Sequence, residues 1–310
     1  MTGPAIDDSP PPRVPARSAD GHKGTFGTVL IVGGCVAGGT RMIGAPALAA
    51  AAATAAFRAG AGLVKVLAPA PVLDVVLGIA PSATGLSFAV DSEGLPRLPE
   101  CIESFDRALA SCNALVVGPG LGSLGTSPLV LRAIQHEDAP VVLDADALNV
   151  LAEIPELWRD FRCAAVITPH PGEFRRLAQA FKITEDPDEP ERRGHAAAAL
   201  AQRLGCIVVL KGAGTVVTDG LRAWVSNAAN PVLGTAGTGD VLAGLMGGLL
   251  AQHARRPKAD LALYDIARIA VRAHALAAEA WAGTARASGG MLALELAACL
   301  PAVLESQRMN

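Results

Sequence analysis

The sequence predicts an α/β fold, in which a mostly parallel central sheet carries helices on both faces. Three observations predict it. Short, β-branched, wholly apolar runs recur along the 310 residues, helical stretches separate most of them, and several end in glycines or a polar cluster. An uninterrupted apolar strand suits a sheet covered on both faces, whereas a sheet with one wet face would alternate. Strands joined through helices run parallel, because a chain needs a crossover to re-enter a sheet in the same direction.

Taken in order, residues 1–22 are polar and proline-rich (D-D-S-P-P-P-R-V-P-A-R) and bury too little apolar area to offset their ordering entropy, so a flexible tail is expected there. A processed targeting peptide fits less well, given Asp7 and Asp8. A single domain is expected from residue 23 to residue 310, with no repeat and no linker. T-V-L-I-V-G-G opens it as a strand, the alanine-rich stretch Ala45 to Ala59 reads as a helix, and L-V-K-V-L-A is the next strand. A-L-V-V-G, V-V-L-D, A-V-I-T and I-V-V-L-K follow as strands ending near Gly118, Asp144, Thr168 and Lys211. T-V-V-T and R-A-W-V around Asp219-Gly220 read as a hairpin that interrupts the alternation before the last helices.

Composition narrows the function. Hydrophobic residues make up 51% of the chain and charged residues 18%, which favours a large core; aromatics are only 4%, so alanine and other small aliphatics must fill it. A formal net charge of −3 with few stacking rings argues against nucleic acid as a partner. The six cysteines form no C-x-x-C pair and no zinc pattern, so reduced thiols in a reducing compartment are expected. The start lacks a charged-then-apolar signal pattern, and the stretches Ile43 to Phe57 and Val241 to Ala251 are too short or too glycine-rich to span a membrane. The expected location is the cytoplasm.

Ligands of open parallel sheets gather at the carboxyl ends of the strands. Five strands here are followed directly by G-G-C-V-A-G-G, G-P-G-L-G, D-A-D-A-L-N, P-H-P-G-E and K-G-A-G-T, which suggests one shared rim. The sharpest segment is N-P-V-L-G-T-A-G-T-G-D-V-L-A-G, Asn230 to Gly244. Its glycines free backbone N–H groups, and the apolar run behind them reads as a helix whose positive end meets Asp240, an arrangement that binds phosphate. Asp240 would then orient or deprotonate an attacking hydroxyl, since phosphoryl transfer needs mainly positioning and charge neutralisation. The plainer reading makes Asp240 a helix N-cap. Asp144, Asp146 and Asn149 follow a strand, where carboxylates can hold magnesium or bond a substrate hydroxyl, or simply cap a helix. His170 stands between two prolines that would present it rigidly; alternatively the loop caps a helix begun by Glu173, with His170 merely solvated. Lys211 to Thr215 offer a cation, flexible donors and a hydroxyl. G-P-G-L-G lacks the surroundings of a dinucleotide fingerprint.

These segments together resemble the ribokinase-like enzymes and, more narrowly, the ADP-dependent NAD(P)H-hydrate dehydratases. H-K-G-T-F-G-T-V-L-I-V-G-G, I-G-A-P, A-G-A-G-L-V, G-P-G-L-G, V-L-D-A-D-A-L-N, T-P-H-P-G-E, V-V-L-K-G and the segment ending in G-T-G-D occur in the family's order, as do Ala273-His274 and L-P-A-V-L, over about residues 22–305. The resemblance implies a three-layer α/β sandwich with Asp240 as catalytic base. It implies substrate contacts at Ala45, Gly120, Gly122, Asp146, Asn149, His170 and Asp240. It implies nucleotide contacts at Lys211, Gly212, Ala213, Gly214, Thr215, Asn230, Gly237, Thr238 and Gly239. Mg2+ would accompany ADP, with ATP as the other donor, and the metal's ligands stay unassigned. Implied partners are the hydrate of NADH or NADPH, further copies of the chain (a tetramer among the options) and a separate epimerase; neither nucleic acid nor membrane is among them. Two departures fall on the substrate side: Cys35 stands where a small hydroxyl residue is common, in a longer loop, and P-S-A-T at Pro81 replaces a Pro-Glu pair. The alternative function is a kinase of a small alcohol that releases a stable phosphate ester.

Overall fold

The computed structural model describes residues 3–36, 45–154, 156–157, 160–254 and 259–309. The chain builds β1 (Ala5–Ile6), β2 (Thr28–Val32), α1 (Ala45–Arg58), β3 (Leu63–Pro69), α2 (Ala70–Ile79), β4 (Thr84–Phe88), α3 (Leu98–Leu109), β5 (Ala114–Val117), α4 (Ser127–Ile134), β6 (Val141–Leu143) and α5 (Asp146–Glu153). It continues with β7 (Ala165–Ile167), α6 (Pro171–Phe181), α7 (Arg193–Leu204), β8 (Ile207–Leu210), β9 (Val216–Thr218), β10 (Arg222–Val225), a 3-10 turn (Pro231–Leu233), α8 (Thr238–His253), α9 (Leu263–Ala285) and α10 (Ala293–Ser306). One sheet holds the ten strands in the order β1-β10-β9-β8-β7-β6-β5-β2-β3-β4. Among the described residues only β9 runs antiparallel to its neighbours, through the hairpin expected at Asp219-Gly220.

Because side chains alternate across a strand, each apolar run feeds two cores. Val29 and Ile31 of β2 pack with α1, α8, α9 and α10, whereas Leu30 and Val32 pack with α3 to α7. The result is three layers, as expected. α8 is buried almost all round and lies on α1 and the sheet. A Cβ at Gly244 would sit 2.1 Å from the Ala52 carbonyl oxygen, and one at Gly248 would sit 2.6 Å from Ala59 Cβ. Glycine on α8 and alanine on α1 therefore let the two backbones close up, which accounts for the alanine-rich sequence of α1. Their contact fixes where the first turn of α8 points.

The N-terminal segment corrects the sequence reading. Residues 3–22, expected as a flexible tail, lie along the body instead. β1 pairs parallel with β10, Val14 is fully buried and bridges to Arg308, and the Tyr264 hydroxyl donates to Asp7 at 2.9 Å. The segment gains its order from long-range partners, which its own composition does not reveal.

Candidate active site

The parallel strands deliver their carboxyl ends to one edge, and backbone hydrogen bonds step from loop to loop along it. Gly118 N donates to Val32 O at 3.0 Å, Asp144 N to Val117 O at 3.1 Å, Thr168 N to Leu143 O at 3.1 Å, and Lys211 N to Pro169 O at 2.8 Å. The expected shared rim is this ladder. Chain direction across the sheet switches between β2, which leads to α1 on one face, and β5, which leads to α4 on the other; ligand crevices form at such switch points. Gly34 N donates there to Pro119 O at 3.1 Å.

Above the rim stands the start of α8. Gly237 is its N-cap with φ 89°, a left-handed conformation that a side chain would strain. Thr238 Oγ1 donates to Leu233 O at 2.8 Å and Thr235 O at 2.9 Å, tying the turn to the preceding loop. His274 Nε2 lies 2.8 Å from Thr238 O; a carbonyl only accepts, so Nε2 carries the hydrogen. Burial pushes His274 down to about 4, so the ring is neutral. Asp240 is the third residue of the helix rather than its N-cap. It is 7% exposed, and its Oδ1 has no hydrogen-bond partner among the described residues. Burial, with Asp144 next, pushes its pKa up to about 7, against the pull of Lys211.

Lys211 closes β8 and reaches back across the rim. Its Nζ donates to Asp144 Oδ1 at 2.7 Å and lies 3.8 Å from Glu173 Oε2. Burial opposes the lysine's charge, but Asp144, Glu173 and Asp240 outweigh it and raise its pKa. Glu173 is buried as well, and burial raises its pKa. A Cβ at Gly239 would come within 3.3 Å of Lys211 Nζ, so this glycine lets the first turn of α8 approach the ammonium. His170 caps α6: its Nδ1 accepts from Gly172 N at 2.9 Å while Glu173 Oε2 accepts from His170 N at 2.8 Å. The capping role weighed for this loop is real. The imidazole nevertheless stays half exposed and faces a cavity.

That cavity, about 710 Å³, is walled by the predicted nucleotide residues Lys211, Gly212, Ala213, Thr215, Asn230, Thr238 and Gly239. Gly214 packs instead by Val225, and Gly237 by Ala293 and Leu48. Sequence reasoning missed Ser226, Leu242 and Val271 in the wall, which carry no distinctive spacing. It also missed Arg193, a buried guanidinium that donates to the Lys211 carbonyl at 3.0 Å and holds the loop from behind. Asp240 follows Gly239 at the end of this cavity, on the side of Asp144 and Asp146.

The residues assigned to the hydroxyl substrate come together only in part: Asp146 meets Gly122 and Gly120 meets Ala45, whereas His170 lines the 710 Å³ cavity. Gly122 N donates to Asp146 Oδ2 at 2.8 Å, and a Cβ on Gly120 would sit 2.2 Å from Ala45 O. Asn149 Oδ1 accepts from Arg176 Nε at 2.8 Å, turned toward α6. Cys35 lies near enough to Asp146 for that charge, after burial, to raise its pKa. The rest of the loop expected to be longer, residues 37–44, lies outside the described residues. Pro81 and Ser82 are exposed between α2 and β4 and sit in none of the contacts above.

A mostly parallel sheet between two helical layers, with a glycine-opened helix start over the strand ends, defines a ribokinase-like protein. The family model described as NAD(P)H-hydrate dehydratase (Carb_kinase) matches residues 29–302, and the chain belongs to that family. The ADP-dependent (S)-NAD(P)H-hydrate dehydratase of Neisseria meningitidis is 37% identical over 293 residues, covering 91% of this chain and 86% of the relative. The bifunctional NAD(P)H-hydrate repair enzyme Nnr of Coxiella burnetii is 35% identical over 289 residues, 92% of this chain and 52% of the relative. The chain thus spans about half the length of the bifunctional relatives it matches. In three dimensions it resembles the ADP/ATP-dependent NAD(P)H-hydrate dehydratase of Bacillus subtilis co-crystallised with ATP/Mg2+, with TM-score 0.74, 27% identity, and coverage of 95% of this chain and 94% of that one.

Proposed function

We propose that this protein repairs damaged nicotinamide cofactors, using ADP to dehydrate the (6S)-hydrate of NADH or NADPH. The observation that carries the reading is Asp240: a buried carboxyl at the positive end of α8, next to cavity-lining Gly239 and near Asp144 and Asp146, whose Oδ1 has no hydrogen-bond partner among the described residues. Nucleotide occupies the 710 Å³ cavity, with its phosphates directed to the first turn of α8, whose N–H groups lack carbonyl partners within the helix. Lys211, held charged, meets the phosphate oxygens. The hydrate's ring lies toward Ala45, Gly120, Gly122 and Asp146, with His170 at the junction. Asn149 acts there through Arg176 or by exchanging partners.

Asp240 takes the proton of the ring hydroxyl as its oxygen attacks the β-phosphorus of ADP, and AMP leaves. A side chain poised near neutrality suits that transfer at working pH. Phosphate is a far better leaving group than hydroxide, and the ring nitrogen's lone pair assists its expulsion. Loss of a ring proton then restores the double bond, so the products are NAD(P)H, AMP and phosphate.

Magnesium fits the residues present. Asp144, Glu173 and Asp240 crowd negative charge around the one ammonium of Lys211, and magnesium at nucleotides needs only one or two carboxylates beside phosphate oxygens and water. Asp144 would hold it, and the ion would supply positive charge that offsets the charge of the phosphate oxygens. A separate epimerase as functional partner is supported by relatives twice as long that are named bifunctional repair enzymes. Among the described residues no helix is long and apolar enough to cross a membrane, and the six cysteines stand as free thiols; we place the activity in the cytoplasm.

The test is incubation with ADP or ATP and either hydrate. Recovery of reduced-nicotinamide absorbance with stoichiometric AMP is expected with ADP. Accumulation of a stable phosphate ester would make the protein a small-alcohol kinase instead.

A further inference from the structure

Residues 3–14 precede the part of the chain that the family model matches, yet they bond to β10 and α9, and α9 carries lining residues of the cavity. Ala5 N donates to Leu221 O at 2.8 Å and Asp7 N to Ala223 O at 2.9 Å, which closes the outer edge of β10. Asp7 Oδ2 accepts from the Tyr264 hydroxyl at 2.9 Å and lies 3.4 Å from Arg268 Nη1. Arg268 Nη2 donates to Ser9 Oγ at 2.9 Å and also to the Ser9 carbonyl. Arg268 is only 3% exposed, and its other carboxylate partner is Asp265 at 3.1 Å. A buried guanidinium is costly unless its charge and its N–H groups are met, and the segment supplies Asp7 and both Ser9 oxygens toward that.

Tyr264 and Arg268 share a helical face with Val271 and Ala275, at spacings of four, three and four residues. Val271 and Ala275 line the cavity, and His274 on the same turns holds the Thr238 carbonyl at the start of α8. On the sheet side, Trp224, 5.8 Å from Arg268, is two residues before Ser226, which also lines the cavity. Asp7 and Ser9 thus brace, from outside, both elements that form one wall.

We propose that residues 3–14 are a positioning strap for the nucleotide cavity, so that nucleotide affinity depends on Asp7 and Ser9 although neither touches the ligand. The inference rests on reading that cavity as the nucleotide site. Strain released at Arg268 passes along α9 to Val271 and His274, and through His274 to the phosphate-facing turn.

The test compares the full-length chain with an Asp7→Ala/Ser9→Ala double variant by calorimetric titration with Mg·ADP and by hydrate kinetics. Expected is a rise of about three- to tenfold in Kd for ADP, the range that coupled positions give, with kcat and the KM for hydrate within about twofold. Arg17→Ala serves as control. It loosens the chain just beyond the strap, where Arg17 donates to Gly60 O at 2.8 Å, and should lower Tm while leaving Kd unchanged. A double variant with lower Tm but unchanged Kd would make the strap purely structural and overturn the proposal, as would an equal loss of affinity in Arg17→Ala. If the double variant does not fold, Asp7→Asn, which keeps an acceptor for Tyr264 but removes the charge facing Arg268, decides by the same Kd. An intact chain that binds no ADP would sink the cavity reading itself, and this one with it.

Discussion

On the Lys211 side of α8 the polar groups line a cavity while bonded within the protein; on the Gly120 side they join one loop or helix to the next. Lys211, Thr215, Asn230 and Thr238 line open space, whereas Asp146 accepts from Gly122 N and Asn149 from Arg176. Space for a ligand is therefore open on the Lys211 side, where Lys211 holds Asp144 and Thr238 holds Leu233 O, and under the proposed function both sides exchange internal bonds for ligand bonds. The difference teaches where specificity and where stability reside. Charges held against burial sit on the nucleotide side and couple that half to folding, while the other half can vary at modest energetic cost.

The strongest way to break this contrast is Lys211→Met. It leaves Asp144, 1% exposed, buried without its cation, and such a loss costs about 3–5 kcal/mol. Chemical denaturation should show that drop, together with loss of ADP binding in calorimetry. Asp240→Asn should act oppositely on stability. The wild-type carboxyl has a folded pKa raised from 3.8 to about 7, so its contribution is fully present below about pH 4 and is lost as pH rises through 7. The variant, which cannot ionise, should match wild type near pH 4 and exceed it by about 4 kcal/mol at pH 8, since each pKa unit is worth about 1.4 kcal/mol. Equal stabilities at pH 8 would show that the carboxylate is not strained.

Gly120→Val addresses the other half. Its Cβ would collide with the Ala45 carbonyl at a position with φ 61°, costing about 1–3 kcal/mol of stability. Affinity for ADP should hold while the KM for hydrate rises, and parallel losses would erase the division between the halves. Asp146→Asn should have the smallest effect. The amide oxygen still accepts from Gly122 N, so the expected change is a rise of a few-fold in the KM for hydrate at constant kcat, about 1 kcal/mol of binding.

Much of this was legible in the sequence because the signals are local. Apolar runs such as T-V-L-I-V and A-L-V-V announce buried strands, and the glycines before Asp240 announce an open helix start. Thr84–Phe88 (T-G-L-S-F) was not read as a strand: it is an edge strand, half exposed, with a glycine as its second residue. The segment around Asp7 read as disordered because its order comes from Tyr264 and Arg268, more than 250 residues away. His170 combines two readings that spacing alone set against each other, since one ring nitrogen caps α6 while the ring faces the cavity. Arg193 gave no signal at all, because a buried arginine behind a loop has no characteristic pattern in one dimension.

The central claim is that Asp240 receives the hydroxyl proton as phosphate is transferred. Its most direct test is Asp240→Asn given Mg·ADP and hydrate, with AMP release and ADP affinity measured on the same preparation. The account predicts ADP binding close to wild type and AMP formation lower by about 10²- to 10⁴-fold, the usual weight of a general base. A variant that binds ADP and releases AMP at the wild-type rate would contradict it.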